Sequence, residues 1–256
     1  MTTHLLIPDT QVKDGVNMDH LEALGNWIVE HRPQRIIHIG DHADMPSLSA
    51  YDKGKKSFEG RRYLKDVDAS IEGMQRLMAP VDALLERQRS NKIKLYKPTM
   101  DFTLGNHENR INRAIENQAE LDGVISVSDL MYEAFGWTVH PFLRPVILDG
   151  ITYVHYVQNA NAPTPVSRAH LIAARRHGSY TCGHQPGLDY YMSSNLSPEG
   201  RRVQCIIAGS FYAHDEEYRS YQGNEHWRGV IVKNNVRNGN YDPTFLSIES
   251  LLEDYL

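Results

Sequence analysis

Arg35-Ile36-Ile37-His38-Ile39-Gly40-Asp41-His42-Ala43-Asp44 decides how this chain is read. Its first five residues, rich in β-branched isoleucine, form a short strand buried on both faces. Gly40 then allows a tight exit, because a residue without a Cβ turns sharply and lets a ligand approach the backbone. Asp41, His42 and Asp44 follow at once. Two further strands also end directly on polar residues. Leu5-Leu6-Ile7, ended by Pro8, delivers Asp9, and a strand around Phe102-Thr103-Leu104 leads through Gly105 to Asn106, His107 and Glu108. If the three strands are parallel neighbours, all three loops open at one carboxyl edge, where α/β folds place their sites.

Between these strands the pattern is helical. A helix is predicted from Asp19 to His31, with Leu21, Leu24 and Ile28 on its apolar face, and Arg32-Pro33 stops it. A long helical pattern runs from about Glu59 to Arg89, with Gly73 and Pro80 expected to break or kink it. Beyond Gly136 the texture changes. Trp137 to Phe142, Val146 to Leu148 and Ile151 to Tyr156 are β-like, and the turn Asp149-Gly150 signals a hairpin. One helix, Val166 to His177, precedes strands at Tyr180 to Cys182, Val203 to Ala208 and Gly229 to Lys233. An α/β layered fold with mixed sheets is expected, as a single domain over residues 1–256.

Hydrophobic residues make up 41% and charged residues 23%, the balance of a folded globular chain. The formal charge of −5 argues against a generally basic nucleic-acid coat but leaves room for a local basic patch. Cys182 and Cys205 are far apart in sequence and are expected to be buried reduced thiols. With no leader pattern and no apolar run long enough to span a membrane, a cytoplasmic location is expected. The chain has no GxSxG, GxxxxGK, HExxH or GxGxxG pattern.

Thirteen histidines are the unusual entry in the composition, and two of them extend the pattern above. His155 sits in the stretch TYVHY, and His184 follows Tyr180 to Cys182 through Gly183. Taken singly, His155 is a core histidine, Asp9 a turn residue, and Asp41 or Asn106 a helix cap. Taken together, carboxylate, amide oxygen and imidazole are a ligand set for a divalent cation such as manganese, iron or zinc.

This order resembles the calcineurin-like metallophosphoesterases, whose pattern is DxH, GDxxD, GNH[DE], a lone His and GHxH. Here the pieces are Asp9-Thr10-Gln11, Gly40-Asp41-His42-Ala43-Asp44, Gly105-Asn106-His107-Glu108, His155 and Gly183-His184-Gln185-Pro186. The resemblance implies a layered α/β/β/α sandwich with two mixed β-sheets flanked by helices. It implies that Asp41 bridges two metals, that Asn106, His155 and His184 complete one site, and that Asp9 anchors the other. The implied chemistry is in-line attack on phosphorus by a metal-activated hydroxide, with His107 stabilising or protonating the leaving oxygen. Asp44, Glu108 and His42 would stand behind the ligands, the two carboxylates orienting a histidine or an arginine. One or two divalent ions are implied, manganese first, with iron, zinc or magnesium as alternatives.

Two histidines of that pattern are missing, and both belong to the Asp9 site: Gln11 and Pro186 stand in their places. Gln11 offers only an amide oxygen, so His42, His214 or Asp215 is expected to fill the gap. The stretch Lys53 to Lys65 carries Lys53, Lys55, Lys56, Arg61, Arg62 and Lys65 against Glu59 alone. With Lys55, Arg61 and Arg110 as candidate substrate contacts, it would attract a polyanion. Aromatics such as Tyr51, Tyr63, Tyr212 and Trp227 are candidate stacking surfaces for bases. A phosphodiesterase or nuclease acting on DNA or nucleotides is therefore expected first. The alternatives are a phosphomonoesterase acting on a phosphoprotein or small metabolite, and a catalytically weak binding protein on the same scaffold. The stretches AGSFYAHDEEY (208–218) and GNEHWRG (223–229) resemble phage-encoded members, which would place the protein in a host cytoplasm.

Overall fold

Leu5 and Ile7 point to one side of their strand and Leu6 to the other, and both sides are buried. The structure, a computed structural model, describes residues 2–196, 200–216 and 220–256. Glu217 and Tyr218 of the stretch quoted above lie outside the described residues. In chain order the first half contains β1 (Thr2–Ile7), α1 (Asp19–His31), β2 (Arg35–His38), α2 (Tyr63–Ser90), β3 (Thr99–Thr103), α3 (Asn109–Asn117) and β4 (Thr138–His140). Next come β5 (Val146–Leu148), β6 (Ile151–Tyr153), β7 (Gln158–Asn159), β8 (Ala162–Pro165), α4 (Ala169–Arg176), β9 (Ser179–Cys182) and β10 (Leu188–Met192). The chain closes with β11 (Gln204–Ala208), α5 (Ser220–Asn224), β12 (Gly229–Arg237), β13 (Asn240–Ser247) and α6 (Ile248–Tyr255).

Two mixed sheets result, in the orders β13-β12-β1-β2-β3-β4 and β10-β11-β9-β6-β5, beside a small β7-β8 hairpin. The period-two alternation sorts their side chains into layers. Leu5, Ile7, Ile36, Phe102, Val230 and Val232 pack against α1, α2 and α6 on the outer face of the first sheet. Leu6, Ile37, Ile39 and Ile231 meet Ile151, Tyr153, Ile206 and Ala208 of the second sheet. Cys205 and Ile207 face outward again, onto Ala169 and Ile172 of α4. The protein is thus a layered α/β/β/α sandwich. Cys182 and Cys205 are free and buried, and burial pushes their thiols up to about 12 and about 11.

Helix α1 has the predicted bounds. Asn17 accepts a hydrogen bond from the Asp19 amide at its start (2.8 Å), and Arg32 adopts left-handed geometry at its end, before Pro33. Helix α2 departs from expectation, for it runs unbroken through Gly73 and Pro80. Tertiary contacts explain both residues. A Cβ on Gly73 would lie 3.0 Å from Val12 and 3.2 Å from His42, and one on Gly25 of α1 would lie 2.5 Å from the Leu77 carbonyl and 2.9 Å from Pro80. The glycines let the helices and loops approach, and that packing keeps α2 continuous despite the hydrogen bond Pro80 forgoes. The β5–β6 turn is the predicted one, with Asp149 (φ +50°) and Gly150 (φ +86°) both left-handed.

His20, on α1, is buried against Phe211 at 4.9 Å, and neither ring nitrogen makes a hydrogen bond among the described residues. Burial first, and the charge of His214 second, lower its pKa to about 4. An unfolded chain takes up a proton there near pH 6.5 and the folded one only near pH 4, so acid favours unfolding between those values. His20→Phe is expected to raise stability by about 2 kcal/mol more at pH 5 than at pH 7.5, at about 1.4 kcal/mol per pKa unit. Urea unfolding at the two pH values measures this, and an equal gain at both would rule it out.

Candidate metal centre

Strands β1, β2 and β3 are parallel neighbours, so the loops that follow them open at one edge, as expected. Close backbone approach shapes that edge. A Cβ on Gly105 would sit 2.0 Å from Asp41 Oδ1, and one on Gly183 would sit 2.5 Å from Asp9 Oδ1. Gln11, Asp41 and His184 are left-handed (φ +40°, +53° and +68°), a conformation that costs a non-glycine residue on the order of 1 kcal/mol. Glu108 ties the loops together. Its Oε2 accepts hydrogen bonds from the amides of Asp41 (3.0 Å) and Gly105 (2.8 Å), and its Oε1 from those of His42 (2.7 Å) and Ala43 (3.0 Å). It was expected to orient a histidine or an arginine. It orients backbone instead, because the loop amides have no other acceptors in this buried corner.

Among the described residues, Asp41, His155 and His184 bring one ligand atom each within 4.8 Å of one another. His155 follows β6 rather than lying inside it. Its Nδ1 donates to the Ile39 carbonyl (2.8 Å), and its Nε2 lies 2.9 Å from Asn106 Oδ1 and 3.3 Å from Asp41 Oδ2. His184 Nδ1 is 2.6 Å from the same Asn106 oxygen. Burial and the charge of His155 lower His184 to about 4, leaving a neutral imidazole at neutral pH. Burial opposes a charge on His155, yet the Asp41 and Asp9 carboxylates outweigh it and raise the ring to about 9. Burial likewise opposes the charge of Asp41, but His107 and His155 hold its carboxyl below the usual range.

Asp9 is buried beside this group and accepts the His184 backbone N–H (3.1 Å). Burial first, then the Asp41 charge, push its pKa up. Asp9, Gln11, Asp41, His107, His184, Pro186, Ser210 and Tyr212 line one open cleft of about 110 Å³. Gln11 is 8% exposed, and its Oε1 is buried without a partner among the described residues. His107 donates its backbone N–H to Asp41 Oδ1 (2.8 Å), while its Nδ1 meets Asp44 Oδ1 (2.8 Å) and its Nε2 faces Arg110 (3.2 Å). Burial and the Arg110 charge disfavour the imidazolium, and the carboxylates of Asp41 and Asp44 outweigh them, so the pKa is raised. Asp44 also lies 3.5 Å from Lys13, which binds Glu216 (2.8 Å). Asp44 thus faces His107 through its carboxylate, and Arg110 donates to its backbone carbonyl (2.8 Å).

Other expected residues lie elsewhere. His42 turns into the core, its Nδ1 on Thr10 (2.7 Å) and its Nε2 on the Ser70 carbonyl (3.0 Å), so it cannot serve the Asp9 side. His214 Nε2 is bound to Glu216 (2.8 Å), and Asp215, 74% exposed at its side chain, pairs with Arg228 (2.7 Å). None of the three is among the residues that line the cleft with Gln11 and Pro186. Lys55 and Arg61 both pair with Asp52, at 3.1 and 2.8 Å, and Arg61 also donates to the Pro46 carbonyl. They close their own loop rather than offering charge to a ligand, whereas Arg110 stays at the cleft rim beside His107. Two residues not singled out in the sequence join the cleft: Ser210, and behind it His226. A signal for Ser210 was present, since Gln204 to Ala208, then Gly209, then Ser210 repeats the strand–glycine–polar pattern of the Gly40 and Gly105 loops.

No helix among the described residues is long and apolar enough to cross a membrane. No protein-family model matches this chain, and no curated protein matches it. Among solved structures it is similar to Yfce, a phosphoesterase from E. coli, over 96% of this chain and 99% of that one, at 10% identity and a TM-score of 0.39. A likeness that faint assigns neither a family nor an activity.

Proposed function

We propose that this protein hydrolyses phosphoester bonds with a divalent cation held by Asp41, Asn106, His155 and His184. One observation carries this conclusion. Because the Ile39 carbonyl takes the Nδ1 hydrogen of His155, Nε2 in the neutral ring is a bare lone pair, yet it faces Asn106 Oδ1 and Asp41 Oδ2. Acceptors converge in a buried spot only around positive charge, a proton or a metal ion. Two imidazoles, a carboxylate and an amide oxygen suit manganese, iron or zinc. The Asp9 side fits less well, offering Asp9, Asp41 and Gln11 but no imidazole of its own. When bound, the cation supplies Lewis acidity, lowering the pKa of water and neutralising phosphoryl charge.

The protein's own part is positioning. Asp44 holds the His107 ring on the cleft wall, where it serves the leaving oxygen, and Arg110 beside it carries positive charge for a phosphoryl group. For the substrate we favour a phosphodiester of DNA or a nucleotide. The exposed Lys53 and Lys56 support this, though less than the sequence promised, since Lys55, Arg61 and Lys65 each pair with an aspartate.

The test is metal content of purified protein, with manganese-dependent hydrolysis of an aryl phosphate and a bis-aryl phosphodiester. At least one equivalent of metal with diester turnover is expected. No metal and no turnover would leave a binding protein on this scaffold. His107→Ala is expected to lower kcat by roughly 10²–10⁴-fold while bound metal stays constant. Loss of the metal in that variant would show that His107 is a ligand.

A further inference from the structure

We propose that Ser210 and His226 form a proton-accepting relay on the cleft wall that takes the proton of the attacking water, an inference that rests on the hydrolase function above. The backbone of Ser210 is held on two sides. It bridges Asp9 in parallel register, the next amide (Phe211) donates to the Asp9 carbonyl (2.7 Å), and the Gly229 amide donates to the Ser210 carbonyl (2.9 Å). The residue is 1% exposed and lines the cleft with Asp9, Gln11, Asp41 and His107.

Its Oγ lies 2.9 Å and the Tyr212 hydroxyl 3.4 Å from His226 Nε2, and His226 Nδ1 lies 3.2 Å from the Gly223 carbonyl. A carbonyl only accepts, so Nδ1 carries the ring hydrogen and Nε2 is the base. Of the two hydroxyls at Nε2, the nearer Ser210 is the donor, which leaves the serine oxygen lone pairs as acceptors on the cleft lining. A hydroxyl backed by an imidazole, itself fixed by a third group, is the arrangement that moves protons in nucleophilic catalysis. It stands on the side of the cleft where Gln11 and Pro186 supply no imidazole, so proton removal there falls to another base.

The step balances. The water oxygen bonds to phosphorus as the bond to the leaving oxygen breaks. The water proton passes to Ser210 Oγ, and the serine proton passes to His226 Nε2. The leaving oxygen takes its proton from the His107 imidazolium, which regains one from solvent, and the half-buried His226 returns its own to solvent.

Manganese-loaded Ser210→Ala and His226→Ala, assayed on a bis-aryl phosphodiester, test the relay. Each is expected to lose about 10²-fold in kcat, with KM within about twofold and bound manganese unchanged, and added imidazole should restore His226→Ala at least tenfold. Unchanged kcat in both variants, or a folded, manganese-loaded His226→Ala that imidazole does not restore, would overturn the relay. Phosphoserine at position 210 in quenched wild-type reactions would also overturn it, making the hydroxyl a nucleophile. If wild-type protein binds manganese but turns over no ester, the hydrolase function falls and the relay with it. Turnover by wild type with unaffected variants removes the relay alone.

Discussion

An Asp41→Ala protein is expected to lose bound divalent cation and phosphoester turnover together. The Asp41 carboxylate faces both His155, at 3.3 Å, and His107, at 3.7 Å. Without it, Asn106, His155 and His184 still converge, but the negative charge that offsets the cation is gone. In a buried site that charge dominates binding, because water is not there to replace it. Turnover should fall by at least about 10⁴-fold, as for loss of a metal's Lewis acidity. Asp41 Oδ1 also accepts the His107 amide, so circular dichroism and a melting curve must accompany the assay. Metal analysis decides the matter. A folded Asp41→Ala protein that keeps a full equivalent of cation would mean that the ion binds elsewhere.

Glu108→Ala should be among the most destabilising single substitutions in the molecule. Four backbone amides, those of Asp41, His42, Ala43 and Gly105, would lose their acceptor in a fully buried corner, together with the Tyr132 hydroxyl at 3.3 Å. Each unsatisfied buried group costs about 1–3 kcal/mol, and partial relaxation of the loop recovers some of it. A net loss of about 4 kcal/mol is expected, roughly a 10 °C fall in Tm for a chain of this size. Glu108→Gln should be nearly as harmful. Each carboxylate oxygen accepts two N–H groups, so an amide nitrogen in either position would set donor against donor. Calorimetry on the two variants tests this. A Glu108→Gln protein of wild-type Tm would show that the loop amides do not need two acceptors.

Much of the fold and part of the cleft were legible because they depend on local chemistry. Short, largely apolar runs such as Leu5 to Ile7 and Arg35 to Ile39 mark strands buried on both faces, and the polar residues that follow them mark one edge. The parallel register of β1, β2 and β3 then carries Asp9, Asp41 and Asn106 to that edge. The end of helix α1 was readable from Arg32-Pro33 and its extent from the apolar periodicity, while the hydrogen bond that Asn17 accepts at its start appears only in the structure. The unbroken α2 was not readable. Gly73 and Pro80 look like breaks until Val12, His42 and Gly25 are seen packed against them.

The same division runs through the cleft. Sequence alone determined which residues leave the strand ends, since a glycine exit and a polar side chain are properties of neighbouring positions. Which way each side chain turns was decided only by tertiary structure. His42 is adjacent to Asp41 yet enters the core to reach Thr10 and Ser70, because the left-handed Asp41 sends successive residues to different sides. Lys55 and Arg61 read as free charge until Asp52 folds back between them. Ser210 and His226, sixteen positions apart, become a pair only when β11 and β12 bring their loops to the cleft. Hydrogen bonds and ion pairs act over a few ångströms, and only the folded chain sets which atoms come that close.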